Sequence, residues 1–350
     1  MNFFTIKNSL FAVSGFIILI VLFKLFTFSA YEASDDSIYQ ESFYKNYKIF
    51  SLNIPKQLNF AGEKVPIEDF DVRERLDKEL LVNTYWQSQT LLFQKRANRW
   101  FPVIEPILKK NGVPEDFKYL ALIESGFTNV VSSAGATGFW QLMEATATSY
   151  GLEVNKEVDE RYNVEKSTEV ACQYLKEAYK KFNSWTLAAA SYNVGMGGVS
   201  RQIEKQKVND YYDLLLNEET SRYLFRILAI KEIISNPKAY GFHIRKKDLY
   251  PPIPSYIVTV DSSITDFADF AIRNKVNYKL VKLLNPWIRQ GFLTNKDKKK
   301  YEIKLPHENY KNIYEGLIFA INAGDSTKYF SVAKAGSDSI AKKDSVPIVN

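Results

Sequence analysis

The sequence predicts a mainly α-helical protein with a small α+β module near its C-terminal end and a membrane-spanning helix near its N-terminal end. Three observations carry that expectation. Helical patterning, with apolar residues three and four apart, runs from Val72 to about Ser235. Beyond a proline-rich stretch it gives way to two strand-like runs, Tyr256–Val260 and Tyr301–Leu305, bracketing two short helical segments, Ile264–Arg273 and Tyr278–Leu284. Near the start, Ser9 to Phe23 is almost wholly apolar and continues apolar after Lys24 to Ala30.

Composition narrows the chemistry. The chain has 350 residues, 46% hydrophobic and 25% charged, enough to bury the core of a main domain and a smaller module. Its net charge of +6 is spread along the sequence, which suits an acidic polymer and is far from a nucleic-acid signature. With two histidines (His243, His307) and one cysteine (Cys172), zinc sites, iron–sulfur clusters, disulfide frameworks and Cys–His catalysis are excluded. A serine triad fails too, because neither histidine lies near a nucleophile-elbow pattern.

Taken in order, residues 1–8 form a cytoplasmic N-terminus and 9–30 a signal anchor, long enough for a bilayer, which needs about 20 residues. Lys7 precedes this segment and Glu32, Asp35 and Asp36 follow it, so the remainder is expected outside the cytoplasm. A cleaved signal peptide is the alternative, with Phe28 poorly placed for a cleavage site. Residues 31–70, punctuated by Pro55, Gly62 and Pro66, read as a loose spacer. Residues 71–235 are the main helical domain, with breaks expected before Pro102 and at Asn111-Gly112. The prolines of 236–253 suggest a linker, 254–306 the α+β module, and 307–350 a C-terminal helix and disordered tail.

One stretch carries the chemistry. Pro114-Glu115-Asp116 starts a helix, and Phe117, Leu120 and Ala121 continue as its apolar stripe. The next position on that stripe is Glu124, just before Gly126. Burial and the negative end of the helix both disfavour its charge, so its pKa is expected to rise, as a general acid requires. The small-residue loop Ser132–Gly138 follows, then Phe139–Met143, which is expected to start another helix. Gln141 offers an amide donor and acceptor, and Trp140 suits either a sugar platform or the core. The helix of small residues Trp185–Asn193 brings Tyr192 and Asn193 to a glycine-rich turn.

Glu124-Ser125-Gly126, Gly135–Met143, Asp159-Glu160-Arg161, Ser167-Thr168 and Ser191-Tyr192-Asn193-Val194-Gly195, in this order, resemble the lytic transglycosylases with a lysozyme-like (goose-type, SLT) domain. The chain departs from that pattern at Ser191, where alanine is usual, and at Met196, where an acidic residue is frequent. The strand–helix–helix–strand order of 254–306 resembles a LysM carbohydrate-binding module; a small module with no ligand is the alternative. The resemblance implies cleavage between N-acetylmuramic acid and N-acetylglucosamine in peptidoglycan, with a 1,6-anhydro end as product. Glu124 would be the catalytic acid and base. Ser125, Gln141, Tyr192 and Asn193 would hold sugar and acetamido groups, with Met143 and Trp140 completing the substrate-binding set. No metal or cofactor is implied. The partners expected are glycan strands and, through the N-terminal helix, the membrane. Two alternatives stand beside this: a hydrolytic lysozyme using Glu144 or Asp159 to hold a water, and a non-catalytic wall-binding protein.

Overall fold

The computed structural model describes residues 49–315, together with Leu19, Ile20, Phe23, residues 36–43 and Lys45. The chain divides into two units, Met1–Ser51 and Leu52–Asn350; the fold and the site belong to the second. Among the described residues no helix is long and apolar enough to cross a membrane. The expected anchor at 9–30 lies outside them except at Leu19, Ile20 and Phe23, as does the expected tail beyond residue 315.

The second unit opens with a hairpin, β1 (Asn59–Phe60) against β2 (Glu63–Lys64). This part of the expected spacer is not loose. Leu58, Phe60, Val65 and Ile67 are buried in the main core, and Phe60 meets the Phe117 ring edge-on at 5.1 Å. Four apolar side chains in ten residues bury enough surface to hold the segment down.

Helix α1 (Phe70–Tyr85) is followed directly by α2 (Gln87–Lys110). The break falls at Trp86 (φ −85°, ψ 56°), and α2 runs through Pro102 and Pro106. The break expected before Pro102 is therefore corrected. A proline inside a helix costs about 3 kcal/mol, and burial of Ile104 and Leu108 on the same helix offsets it. Residues 236–253, expected as a linker, are packed on the main domain: Tyr240 and Phe242 are buried in its core, and Tyr250 and Pro251 lie along α2. The Tyr250 N–H donates to the Lys95 carbonyl at 3.3 Å, and the side chains of Asn98 and Arg99 donate to the carbonyls of Tyr250 (3.0 Å) and Pro251 (2.9 Å).

Helix α3 (Phe117–Ser125) is buried from Tyr119 to Ile123 and ends at Gly126, whose φ of 58° suits a residue without Cβ. After the short α4 (Glu144–Ser149) come α5 (Val164–Phe182), α6 (Trp185–Val194), α7 (Met196–Gln206) and α8 (Glu218–Ser235). Leu187 and Ala188–Ala190 are fully buried, so α6 sits close against its neighbours. Glu63 of β2 caps α6 by accepting from the N–H groups of Trp185 (2.5 Å) and Thr186 (2.9 Å). Cys172, midway along α5, is fully buried and free.

The C-terminal module pairs β3 (Ser255–Val260) with β4 (Tyr301–Pro306), antiparallel from Ser255↔Pro306 to Val260↔Tyr301. Between them lie α9 (Phe267–Arg273) and α10 (Tyr278–Leu284), the order expected from the sequence. Phe267, Phe270, Val281, Trp287, Ile303 and Leu305 form its core, joined by Val158 and Tyr162 from the main domain.

Candidate active site

Glu124 occupies the last turn of α3, where its side chain is half-buried. The hydroxyl of Tyr223, from the first half of α8, donates to Glu124 Oε1. Burial raises the carboxyl's pKa above its ordinary value. The Tyr223 hydrogen bond and the charge of Arg226 pull it back, the nearby Glu219 pushes it up again, and the net shift is upward. Glu124 therefore holds its proton to higher pH than an exposed glutamate.

The loop bonded to Ser125, the residue next to Glu124, is not a helix start. Phe139–Met143 forms a tight turn, Gln141 has φ 46°, and the helix begins only at Glu144. Gly138 dictates this: at φ 79° its Cα faces the Arg161 carbonyl, and a Cβ there would stand 2.2 Å from that oxygen. The turn closes on itself through paired N–H···O bonds of 3.1 Å between Thr137 and Leu142.

The expected substrate contacts divide into those the geometry leaves open and those it spends on the fold. Ser125 Oγ donates to the Phe139 carbonyl at 2.9 Å and accepts from the Phe127 N–H at 3.1 Å, so it pins the loop to α3. Trp140 is fully buried, with Nε1 donating to Thr168 Oγ1 at 2.8 Å. That corrects the sugar platform: the indole is core. Tyr192 donates to the Trp140 carbonyl at 2.7 Å, and burial together with the Glu124 charge keeps its phenol protonated. Gln141 Nε2 donates to the carbonyls of Gly138 (2.8 Å) and Val130 (3.2 Å), leaving its carbonyl oxygen as acceptor. Asn193 accepts from Thr220 Oγ1 at 2.7 Å and donates to Glu219 at 3.3 Å. Met143, 44% exposed, stands at the N-terminus of α4. Ser191, the small departure from the pattern, is fully buried and donates to the Ala188 carbonyl at 2.7 Å.

Three residues that the sequence reading gave no role stand at this site: Glu219, Tyr223 and Arg226. Their spacing of four and three puts them on one face of α8, a polar stripe on a helix otherwise buried from Tyr223 to Ile230, and that was the available signal. Arg226 also donates to the Ile123 carbonyl at 3.4 Å. Beside them opens a cavity of 490 Å³, lined among others by Trp86, Phe93, Ile123, Glu219, Arg222 and Arg226; it reaches Ile123 but not Glu124. Of the two candidate water-holding carboxylates, Asp159 is buried and forked onto Arg161 (2.9 and 2.8 Å), and Glu144 is exposed at the start of α4. Both Asp159 oxygens are engaged by Arg161.

A helical domain that ends a buried helix on a half-buried carboxyl of raised pKa, beside a glycine-bearing loop bonded to the next residue, has the arrangement of a lysozyme-like protein. Residues 101–215 match the transglycosylase SLT domain, and residues 256–309 the soluble lytic transglycosylase C-terminal LysM-like domain. The chain is 31% identical over 198 residues to membrane-bound lytic murein transglycosylase D of Escherichia coli (strain K12), covering 54% of this chain and 43% of that protein. It is 30% identical over 159 residues to the "Putative tributyltin chloride resistance protein" of Alteromonas sp. (strain M-1), covering 44% of this chain and 77% of that protein. Among solved structures, the 70 kDa soluble lytic transglycosylase of Escherichia coli aligns with a TM-score of 0.35 and 21% identity, over 40% of this chain and 24% of that one. On the sequence matches, the chain belongs to the SLT-domain transglycosylase family. It spans less than half the length, 43%, of the Escherichia coli relative.

Proposed function

We propose that this protein is a lytic transglycosylase of peptidoglycan. It cleaves the β-1,4 bond between N-acetylmuramic acid and N-acetylglucosamine and leaves a 1,6-anhydromuramic end, in remodelling of the cell wall. The observation that carries this is the Glu124–Tyr223 pair: a half-buried carboxyl with a raised pKa, held in place by a phenol.

In this reading Glu124 gives its proton to the glycosidic oxygen as the C1–O bond breaks. The acetamido group of the muramic sugar stabilises the positive centre. Glu124, now a carboxylate steadied by the Tyr223 O–H, takes the proton of the sugar's own primary hydroxyl as that oxygen bonds to C1. One proton is given and one recovered, so the residue ends as it began. Gln141, Tyr192, Asn193 and Met143 are the proposed contacts for sugar and acetamido groups, and the C-terminal module is a proposed second glycan contact. The proposed location is the inner membrane, by the segment 9–30, with the catalytic domain on its outer side.

The test is digestion of purified peptidoglycan followed by mass measurement of the products. Anhydro ends support the proposal. Reducing ends would instead mean hydrolysis, a reading favoured by one observation: Glu219 is a second carboxylate whose charge reaches Glu124. Intact glycan would leave a binding protein.

A further inference from the structure

The segment Glu153–Tyr162 belongs to two structures at once. On one side it completes the C-terminal module. Val158 bridges to Ile288, the Asp159 N–H donates to the Trp287 carbonyl at 2.9 Å, and the Arg289 N–H donates to the Glu157 carbonyl at 2.7 Å. Val158 and Tyr162 are buried among the module's apolar residues, with the Arg289 guanidinium 4.2 Å from the Tyr162 ring centre. Ion pairs line the same seam, Lys299 with Glu153 and Lys304 with Glu165.

On its other side the segment grips the loop that is bonded to Ser125 beside Glu124. Asp159 holds Arg161 by two parallel bonds, a fork that fixes the guanidinium plane. The remaining nitrogen, Nη1, donates to the loop carbonyls of Gly135 (3.2 Å) and Leu142 (3.4 Å). The Arg161 carbonyl backs directly onto Gly138. The loop is tied in turn to Ser125, the residue next to Glu124. A continuous run of bonds thus leads from Trp287 in the module, through Asp159 and Arg161, to the loop and to the end of α3.

We propose that Arg161 is a positioning residue for the catalytic loop, and that the C-terminal module contributes to turnover by holding the Asp159–Arg161 strut in register. The inference rests on the transglycosylase reading and deepens it: the module, whatever its grip on glycan, is a structural part of the active site. Misplacement of a catalytic constellation by about 1 Å can cost on the order of a hundredfold in rate, so the effect falls mainly on kcat, and on KM only as far as the loop's Gln141 contacts sugar.

The experiment uses the full chain. Arg161→Ala leaves Asp159 buried without its partner and is at risk of misfolding. Arg161→Lys keeps the charge, loses the fork, and is the deciding variant. It is expected to lower kcat about tenfold or more, by a larger factor than it raises KM, and to speed hydrogen exchange at the loop amides of Thr137, Gly138 and Leu142. Seam variants of graded severity (Lys304→Glu, Lys299→Glu, both together, and Val158→Asp) are expected to free the Asp159 and Arg289 amides and lower kcat in step. Wild-type kcat and loop exchange in Arg161→Lys would overturn the role of Arg161. Any seam variant that frees the Asp159 amide without lowering kcat would overturn the module's role. Loop exchange is read without turnover, so a wild-type chain that cuts no glycan defeats the transglycosylase reading separately.

Discussion

Glu124 has to surrender a proton at one moment and recover one at the next, and its surroundings are a compromise between the two. Glu124→Gln keeps the size and the contact with Tyr223 but ends proton transfer; product release is expected to fall roughly 10²–10⁴-fold. The same change should stabilise the fold. Unfolded, the carboxyl ionises near 4.5; folded, it ionises at higher pH. The stability of the protonated form is complete below the unfolded pKa and lost as pH rises through the folded one. Glu124→Gln escapes that loss, so its melting temperature should match wild type in acid. It should exceed wild type above the window. Thermal melts of both proteins across pH would check it. Tyr223→Phe removes the hydrogen bond that favours the carboxylate, so the alkaline limb of the kcat profile should move to higher pH while the rate falls. Glu124 was legible because a carboxylate on an apolar stripe is an anomaly visible in one dimension. Ser125 and Trp140 were not: a motif says which residues are adjacent and not which way a hydroxyl or an indole points.

Among elements, the loop 132–142 departs most from the sequence expectation. Phe139–Met143 has helical composition, yet Gly138 and the left-handed Gln141 hold it as a turn against Arg161. Tertiary packing overrides local propensity here, as it does along α2, which was expected to break before Pro102. Gly138→Ala is expected to destabilise the protein by more than about 1 kcal/mol, since the new Cβ meets both an unfavourable φ and a backbone oxygen. Activity should fall further than stability, and melting curves run beside product assays would separate the two. By contrast, the strands and helices of the module follow the sequence pattern closely, because each alternates or repeats over its own length. The hairpin β1–β2 was missed for the opposite reason: two residues per strand give no period to read.

For the whole molecule, the long-range relations lay beyond the sequence. Nothing in 236–253 announces that Tyr250 and Pro251 lie along α2, or that Val158 helps form the module's core. Tethering was read from the apolar run alone. If 9–30 anchors the chain, high salt should leave it on membranes and detergent should release it, because burial of apolar surface is hardly screened by ions. A soluble mature protein beginning near Tyr31 would instead mean a cleaved signal.

Cys172 has a use that the catalytic cycle never touches. Burial at the middle of α5 pushes its thiol up to about 12, from an ordinary 9.0, so almost none of it is thiolate at neutral pH. A soluble disulfide reagent can react only while that helix is open, and the labelling rate, set against that of an unhindered thiol, counts those openings. The chain therefore carries a built-in clock for its own breathing. And because this is the sole cysteine in the sequence, a second one placed on the surface could be tagged selectively, giving a fluorescent probe without removing any native residue.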